Sequence, residues 1–176
     1  MAEDLTRDVA PREWRAQVEA AIEEGFTFVD WLTAVDRTYL DEDDSPGFDI
    51  VVRLLDLSTP GDARGVRLTT RVPDGGSLHS LTPLRAGFAF HERETAEMFG
   101  IGFDGFTDDT GQGLRPLLLP DGFEGHPLRK SFQLAARASK TWPGGKEPGE
   151  GHDSAKSPSR RRVQAPGVPP PEWGPR

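Results

Sequence analysis

An α+β domain is the fold this sequence predicts: an N-terminal helix, a small mostly antiparallel sheet, a second helix, then an extended C-terminal segment and a disordered tail. Three observations predict it. Apolar side chains recur at helical spacing over residues 8–24, two β-rich runs flank a turn within residues 48–72, and glycine and proline break every period after Gly100.

The elements follow in order. In DVAPREWRAQVEAAIEE, residues 8–24, Trp14, Val18, Ala21 and Ile22 share one helical face, Pro11 suits the first turn and Gly25 stops the helix. FTFVDWLTAVD (26–36) is β-branched and aromatic and reads as a strand, followed by the acidic loop DEDDSPG. The nearly continuous apolar run FDIVVRLLDLS (48–58) suits a strand covered on both faces. TPGDARG (59–65) is turn chemistry, and VRLTTRV then puts Val66, Leu68, Thr70 and Val72 on one face, so the pair reads as an antiparallel hairpin. After the turn Asp74-Gly75-Gly76, SLHSL is a short fourth strand. Thr82-Pro83 signals a helix start, with threonine as cap and proline at the first helical position, and the helix runs to Gly100. Leu84, Phe88, Met98 and Phe99 supply its buried side, which leaves Glu92, Arg93, Glu94 and Glu97 to be explained. Pro116, Pro120 and Pro127 prevent any long helix beyond it.

Composition divides the 176 residues unevenly. Residues 140–176 hold eight of the 16 prolines and six of the 20 glycines, so the folded domain is expected over residues 1–138 and a tail over 139–176. That tail carries seven Lys/Arg against four Asp/Glu, leaving 14 against 25 in the body. An acidic body argues against nucleic acid as a partner, because gripping a phosphate backbone needs clustered cations, and Arg160-Arg161-Arg162 is too short a run to supply them. The first residues, MAEDLTRD, are acidic where a secretory signal is basic and then apolar, and no stretch reaches the roughly 20 apolar residues that span a bilayer. The expectation is a soluble or peripheral protein. With no cysteine, the chain has no disulfide, thiolate nucleophile or iron–sulfur ligation of its own.

The charged stretch HERETAEMFG (91–100) admits an enzymatic and a binding reading. A zinc protease needs a second histidine four residues after the first, and Thr95 stands there after His91. His79, His126 and His152 occur singly, no serine sits in a G-x-S-x-G elbow, and no glycine cluster matches a phosphate loop. A solvated helix face with local salt bridges is the bland alternative. It leaves unexplained why the charges neighbour Phe88, Phe90 and Phe99, and why GHPLRK (125–130) sets His126, Arg129 and Lys130 among residues that fix the backbone. Arginines so held make bidentate contacts with carboxylates, those of this chain or of a partner. The stretch therefore reads as a surface for recognition.

The same residues carry a resemblance. ERETAEMFGIGFDG followed by LRPLLLPDGFEGHPLRKSF resembles the C subunit, or thirty-kilodalton subunit, of respiratory complex I, the NADH–quinone oxidoreductase. The matching motifs span residues 92–130 as two blocks in the family's order; Pro116 replaces the second arginine of the family's Leu-Arg-Arg, and Ser131 replaces the acid that usually follows Arg-Lys. What the resemblance implies is a non-catalytic subunit of the peripheral arm, packed against the hydrogenase-like D subunit and near the B and I subunits. FMN, iron–sulfur clusters and quinone would belong to those partners and none to this chain. It further implies that Glu92, Arg93, Glu94, Gly100, Leu114, Arg115, Gly125, His126, Pro127, Leu128, Arg129 and Lys130 serve internal bracing and contact between subunits, with no catalytic, cofactor or metal residue among them. Rich Gly, Pro, Arg and Ala usage suits a GC-rich bacterium, which would put the protein on the cytoplasmic side of the cell membrane. Three rivals stand beside this reading: the homologous subunit of a membrane-bound hydrogenase or deazaflavin-dependent dehydrogenase, a stand-alone metallohydrolase built on His91 and the glutamates, and a binding module outside any assembly.

Overall fold

The computed structural model of the chain describes residues 4–39 and 46–133. The acidic loop at 41–45, the boundary expected at 138 and the tail lie outside the described residues. Two units divide the chain, Met1–Lys130 and Ser131–Arg176. In the second, the described residues 131–133 contain no helix or strand.

The first unit is α+β. Its elements run β1 (Leu5–Asp8), a single 3-10 turn (Pro11–Glu13), α1 (Trp14–Glu23), β2 (Phe28–Asp36), β3 (Phe48–Asp56), β4 (Arg64–Val72), β5 (Ser77–His79), α2 (Phe88–Phe99) and β6 (Gly102–Asp104). A four-stranded sheet has the order β1-β4-β3-β2, antiparallel except that β1 lies parallel to β4; β5 and β6 form a separate parallel pair. The expected hairpin is β3–β4, in register from Phe48↔Val72 to Asp56↔Arg64.

Alternation places the core. Phe48, Ile50, Val52 and Leu54 of β3 and Val66, Leu68, Thr70 and Val72 of β4 are buried, and their apolar members form one cluster with Trp14, Val18 and Ala21 of α1 and Phe88, Met98 and Phe99 of α2. Each such large side chain contributes about 1.5–3 kcal/mol by leaving water. Phe48 and Phe99 meet edge to face at 6.1 Å, joining α2 to the sheet.

Four expectations need correction. The N-terminal helix does not begin at residue 8: Leu5–Asp8 is a strand, because β4 offers it a ladder, and the α-helix starts at Trp14. β3 is not covered apolarly on both faces; Asp49 and Arg53 alternate with its core residues and carry ion pairs on the other side. The second helix starts at Phe88, six residues after Thr82. Thr82 caps nothing there, since its hydroxyl is taken by Ser80 and Thr107, and residues 81–88 are closed as turns by Leu84 N–H to Leu81 O and Phe88 N–H to Arg85 O. Finally, Gly102–Asp104 is a strand where loop was expected; three residues with a glycine show no period, and pairing with β5 makes the strand. The stop at Gly100 is where expected, in the left-handed region at φ 74°.

Candidate functional site

The two charged blocks of the sequence are bound to one another. An α-helix leaves its last four carbonyls without partners, and α2 has all of them met. Ala96 O accepts from Gly100 N at 2.8 Å, Glu97 O from His126 Nδ1 at 2.8 Å, Met98 O from Leu128 N at 3.1 Å and Phe99 O from Arg129 Nε at 2.6 Å. GHPLRK is thus a cap that supplies three of the four donors. The Arg129 cation suits the negative end of the helix dipole; it also pairs with Asp74 at 2.9 Å and lies over the Phe48 ring at 5.0 Å. Gly100 makes room for this arrangement. A Cβ there would come within 2.5 Å of His126 Nε2 and 2.7 Å of Arg129 Nη2.

One turn earlier the same helix holds the other loop. Glu97 accepts from three consecutive amides, Leu117 N at 3.1 Å, Leu118 N at 2.8 Å and Leu119 N at 2.9 Å. Burial works to raise this carboxyl, and the three amides together with the Arg93 charge outweigh it and hold it below the ordinary carboxylate range. Arg93 donates to the carbonyls of Arg115 at 3.2 Å and Pro116 at 2.6 Å. Arg115 pairs with Asp108 at 2.5 Å, and hydrogen bonds from Thr110 and Arg115 lower the Asp108 carboxyl to about 2. At the far end, Lys130 N donates to Asp36 Oδ2 at 2.7 Å and ties the cap to the end of β2.

Glu92 lies inside. It is fully buried, accepts from Ser80 Oγ at 2.6 Å and Leu81 N at 2.5 Å, and is raised by burial to about 7 against these two bonds. Glu94 faces outward with no ion pair among the described residues. Gly125 adopts φ 96°, Pro127 is half-buried, and Leu114 lines a cavity of about 210 Å³ with Arg93, Ala96, Glu97, Arg115 and Pro116. Within the chain these arginines make no ion pair with Glu92, Glu94 or Glu97 among the described residues: Arg93 meets carbonyls, while Arg115 and Arg129 choose Asp108 and Asp74. Among the described residues no three His, Asp or Glu side chains converge as a metal would require.

Sequence reasoning missed four members, Ser80, Asp74, Asp36 and Asp108, and left Glu97 without a task. A signal existed for Glu97, because Leu117-Leu118-Leu119 between Pro116 and Pro120 has amides but no ladder, and such amides need an acceptor. Beside the exposed charges of Glu94, Asp121, Glu124 and Lys130, large apolar side chains also face outward. Phe90 is 65% exposed and Leu118 61%, with Leu114, Phe123 and Leu128 also exposed.

The comparisons bear on this arrangement. The sequence profile of the family described as respiratory-chain NADH dehydrogenase, 30 Kd subunit, matches residues 7–138. The chain belongs to that family. Among relatives of this 30 Kd subunit family, the C subunit of the NADH-quinone oxidoreductase of Agrobacterium fabrum is 41% identical over 87 residues, covering 49% of this chain and 40% of that protein. The NADH-ubiquinone oxidoreductase 30.4 kDa subunit, mitochondrial, of Neurospora crassa is 36% identical over 109 residues, 62% of this chain and 34% of that one. The matches thus span about two-fifths or less of these relatives' length. A solved structure described as the trypsin-resistant fragment of Nqo5 shares 25% identity at a TM-score of 0.52, covering 58% of this chain and 80% of that one.

Proposed function

We propose that this chain is a non-catalytic peripheral-arm subunit of a proton-translocating NADH–quinone oxidoreductase, scaffolding the hydrogenase-like D subunit and the cluster-bearing B and I subunits. One observation carries the reading. The side chains able to do chemistry, Glu97, Arg93, His126 and Arg129, bind backbone of the same chain, and what they hold outward is a set of apolar side chains on a braced loop. A surface of that kind offers contact without chemistry. Family membership supports the choice of assembly. On this reading FMN, iron–sulfur clusters and quinone belong to the partner subunits, residues 1–138 form the folded domain, residues 139–176 wrap neighbours, and the protein is peripheral to the cytoplasmic side of the cell membrane. No helix among the described residues is long and apolar enough to cross a bilayer.

Affinity purification of the tagged chain from mild-detergent membranes, followed by mass spectrometry, tests the reading. NADH-oxidising, iron–sulfur and antiporter-like subunits are the expected companions. Arg129→Ala lowers their recovery at least tenfold while NADH oxidation per assembled complex stays unchanged. Recovery of hydrogenase subunits, or of the chain alone, would refute the proposal.

A further inference from the structure

Glu92 is fully buried on α2, and no cation pairs with it among the described residues. It is also the end of a chain of hydrogen bonds. Ser80 Oγ lies 2.6 Å from Glu92 Oε2 and 2.8 Å from Thr82 Oγ1; Thr82 Oγ1 accepts from Thr107 N at 3.0 Å and lies 3.4 Å from Thr107 Oγ1. Its first two links are fixed, because Ser80 N donates to Asp104 O beside the β5–β6 pair, and Leu81 N holds Glu92 Oε1. Thr82 and Thr107 line an open groove of about 620 Å³, with Phe90, Arg93, Asp108 and Arg115 along its walls. The chain joins a buried carboxyl to a surface.

We infer that Glu92, Ser80, Thr82 and Thr107 form a protonation-dependent relay that writes the charge state of a buried carboxyl onto the wall of this groove. As a carboxylate, Glu92 accepts from both Ser80 O–H and Leu81 N–H. Ser80 Oγ then accepts from Thr82 O–H and from Thr82 N–H at 3.1 Å, and Thr82 Oγ1 accepts from Thr107 N–H. A proton taken from water by Glu92 reverses the order. The acid donates from Oε2 to Ser80 Oγ, Ser80 donates to Thr82 Oγ1, and the Thr82 proton turns toward Thr107 Oγ1. That last separation, 3.4 Å, is long for a hydroxyl pair, which fits a contact made in only one of the two states. Glu92, Ser80 and Thr82 each have a partner in either state, and Thr107 lines the open groove, so the switch needs no movement of the backbone.

The charged groups around the relay are engaged elsewhere. Arg93 binds the carbonyls of Arg115 and Pro116, and Arg115 pairs with Asp108. His79, exposed on β5 next to Ser80, and His91, half-buried next to Glu92 on α2, are the ionisable neighbours in sequence from which the test must separate Glu92.

In the full chain, labelled for NMR, the Glu92 carboxyl carbon and the Thr107 amide are followed from roughly pH 5 to 9. Both are expected to shift with one midpoint, at about 7. Glu92→Gln removes the Thr107 response, and Thr82→Val leaves the carboxyl titrating while Thr107 falls silent. Should Glu92→Gln not fold, Thr82→Val decides alone. A Thr107 response that survives either variant, differs in midpoint from the carboxyl, or is absent while the carboxyl titrates overturns the relay, as does a carboxyl that does not titrate in this range.

Discussion

On the outer face of the sheet, charge meets charge; at the end of α2, charge meets backbone. Arg53 holds Asp4 through Nε at 2.7 Å and Nη2 at 2.9 Å and Asp30 through Nη1 at 2.6 Å, and Arg37 and Arg71 share Asp49; on the core-facing side, at the turn end of the hairpin, Arg64 takes Asp56. Glu97, Arg93, His126 and Arg129 instead bind amides and carbonyls. The difference follows from what the backbone already has. Strands β2 to β4 satisfy one another by their ladders, so their side-chain charges are left to pair among themselves. Residues 105–130 contain no strand or helix, and their backbone groups find partners in the side chains of α2. A side chain standing in for a ladder is worth more than an ion pair beside one, because its loss orphans the groups it served.

Gly100→Ala strikes the second region hardest. A Cβ at φ 74° costs about 1–2 kcal/mol in the backbone, and displacing His126 and Arg129 uncovers two helix carbonyls, so a loss of about 3 kcal/mol in urea unfolding is expected. Equal stability of variant and parent would mean that the cap contributes nothing. Glu97→Ala comes next, at about 2–3 kcal/mol, with hydrogen exchange at Leu117, Leu118 and Leu119 accelerating more than in β3; exchange rising equally in both would erase the contrast.

Glu92 gives the comparison a pH axis. Its carboxyl sits at about 7 in the folded chain, above its ordinary value of 4.5, so the stability it contributes is complete in acid and is lost as pH climbs from 4.5 through 7. Between about pH 5 and 8 the protein should lose about 2 kcal/mol through this group, and Glu92→Gln should flatten the profile there. Asp56, lowered to about 2 chiefly by Arg64, works the opposite way and in a separate window: its contribution stands above its ordinary value and fades only as pH falls toward 2. A parent profile parallel to that of Glu92→Gln between about pH 5 and 8 would show that Glu92 is not the source of the dependence. Smallest of all is Arg37→Ala on the sheet, expected to cost about 0.5 kcal/mol and to vanish in high salt.

Legibility in the sequence tracks this same division. The β3–β4 hairpin could be read because Val66, Leu68, Thr70 and Val72 alternate, and the end of α2 because Gly100 announces it. β1 and β6 could not, since Leu5–Asp8 and Gly102–Asp104 owe their strand state to neighbours distant in sequence. The same holds for Glu92, which reads as surface in any helical pattern and is buried only because Ser80 and Leu81 fold over it. For the loop after Gly100, the sequence shows which residues are unusual but not what they bind. Amides awaiting an acceptor leave no periodic trace.

The cap on α2 also has a direction in time. His126 and Arg129 lie 29 and 30 residues beyond the carbonyls they meet, so a growing chain makes the helix long before it makes the groups that finish it. A chain cut short before residue 126 would hold the whole sheet and a helix with bare carbonyls at its end. Completion of the braced surface is therefore a mark that synthesis has passed Lys130, and an assembly that selects this surface selects chains translated at least that far.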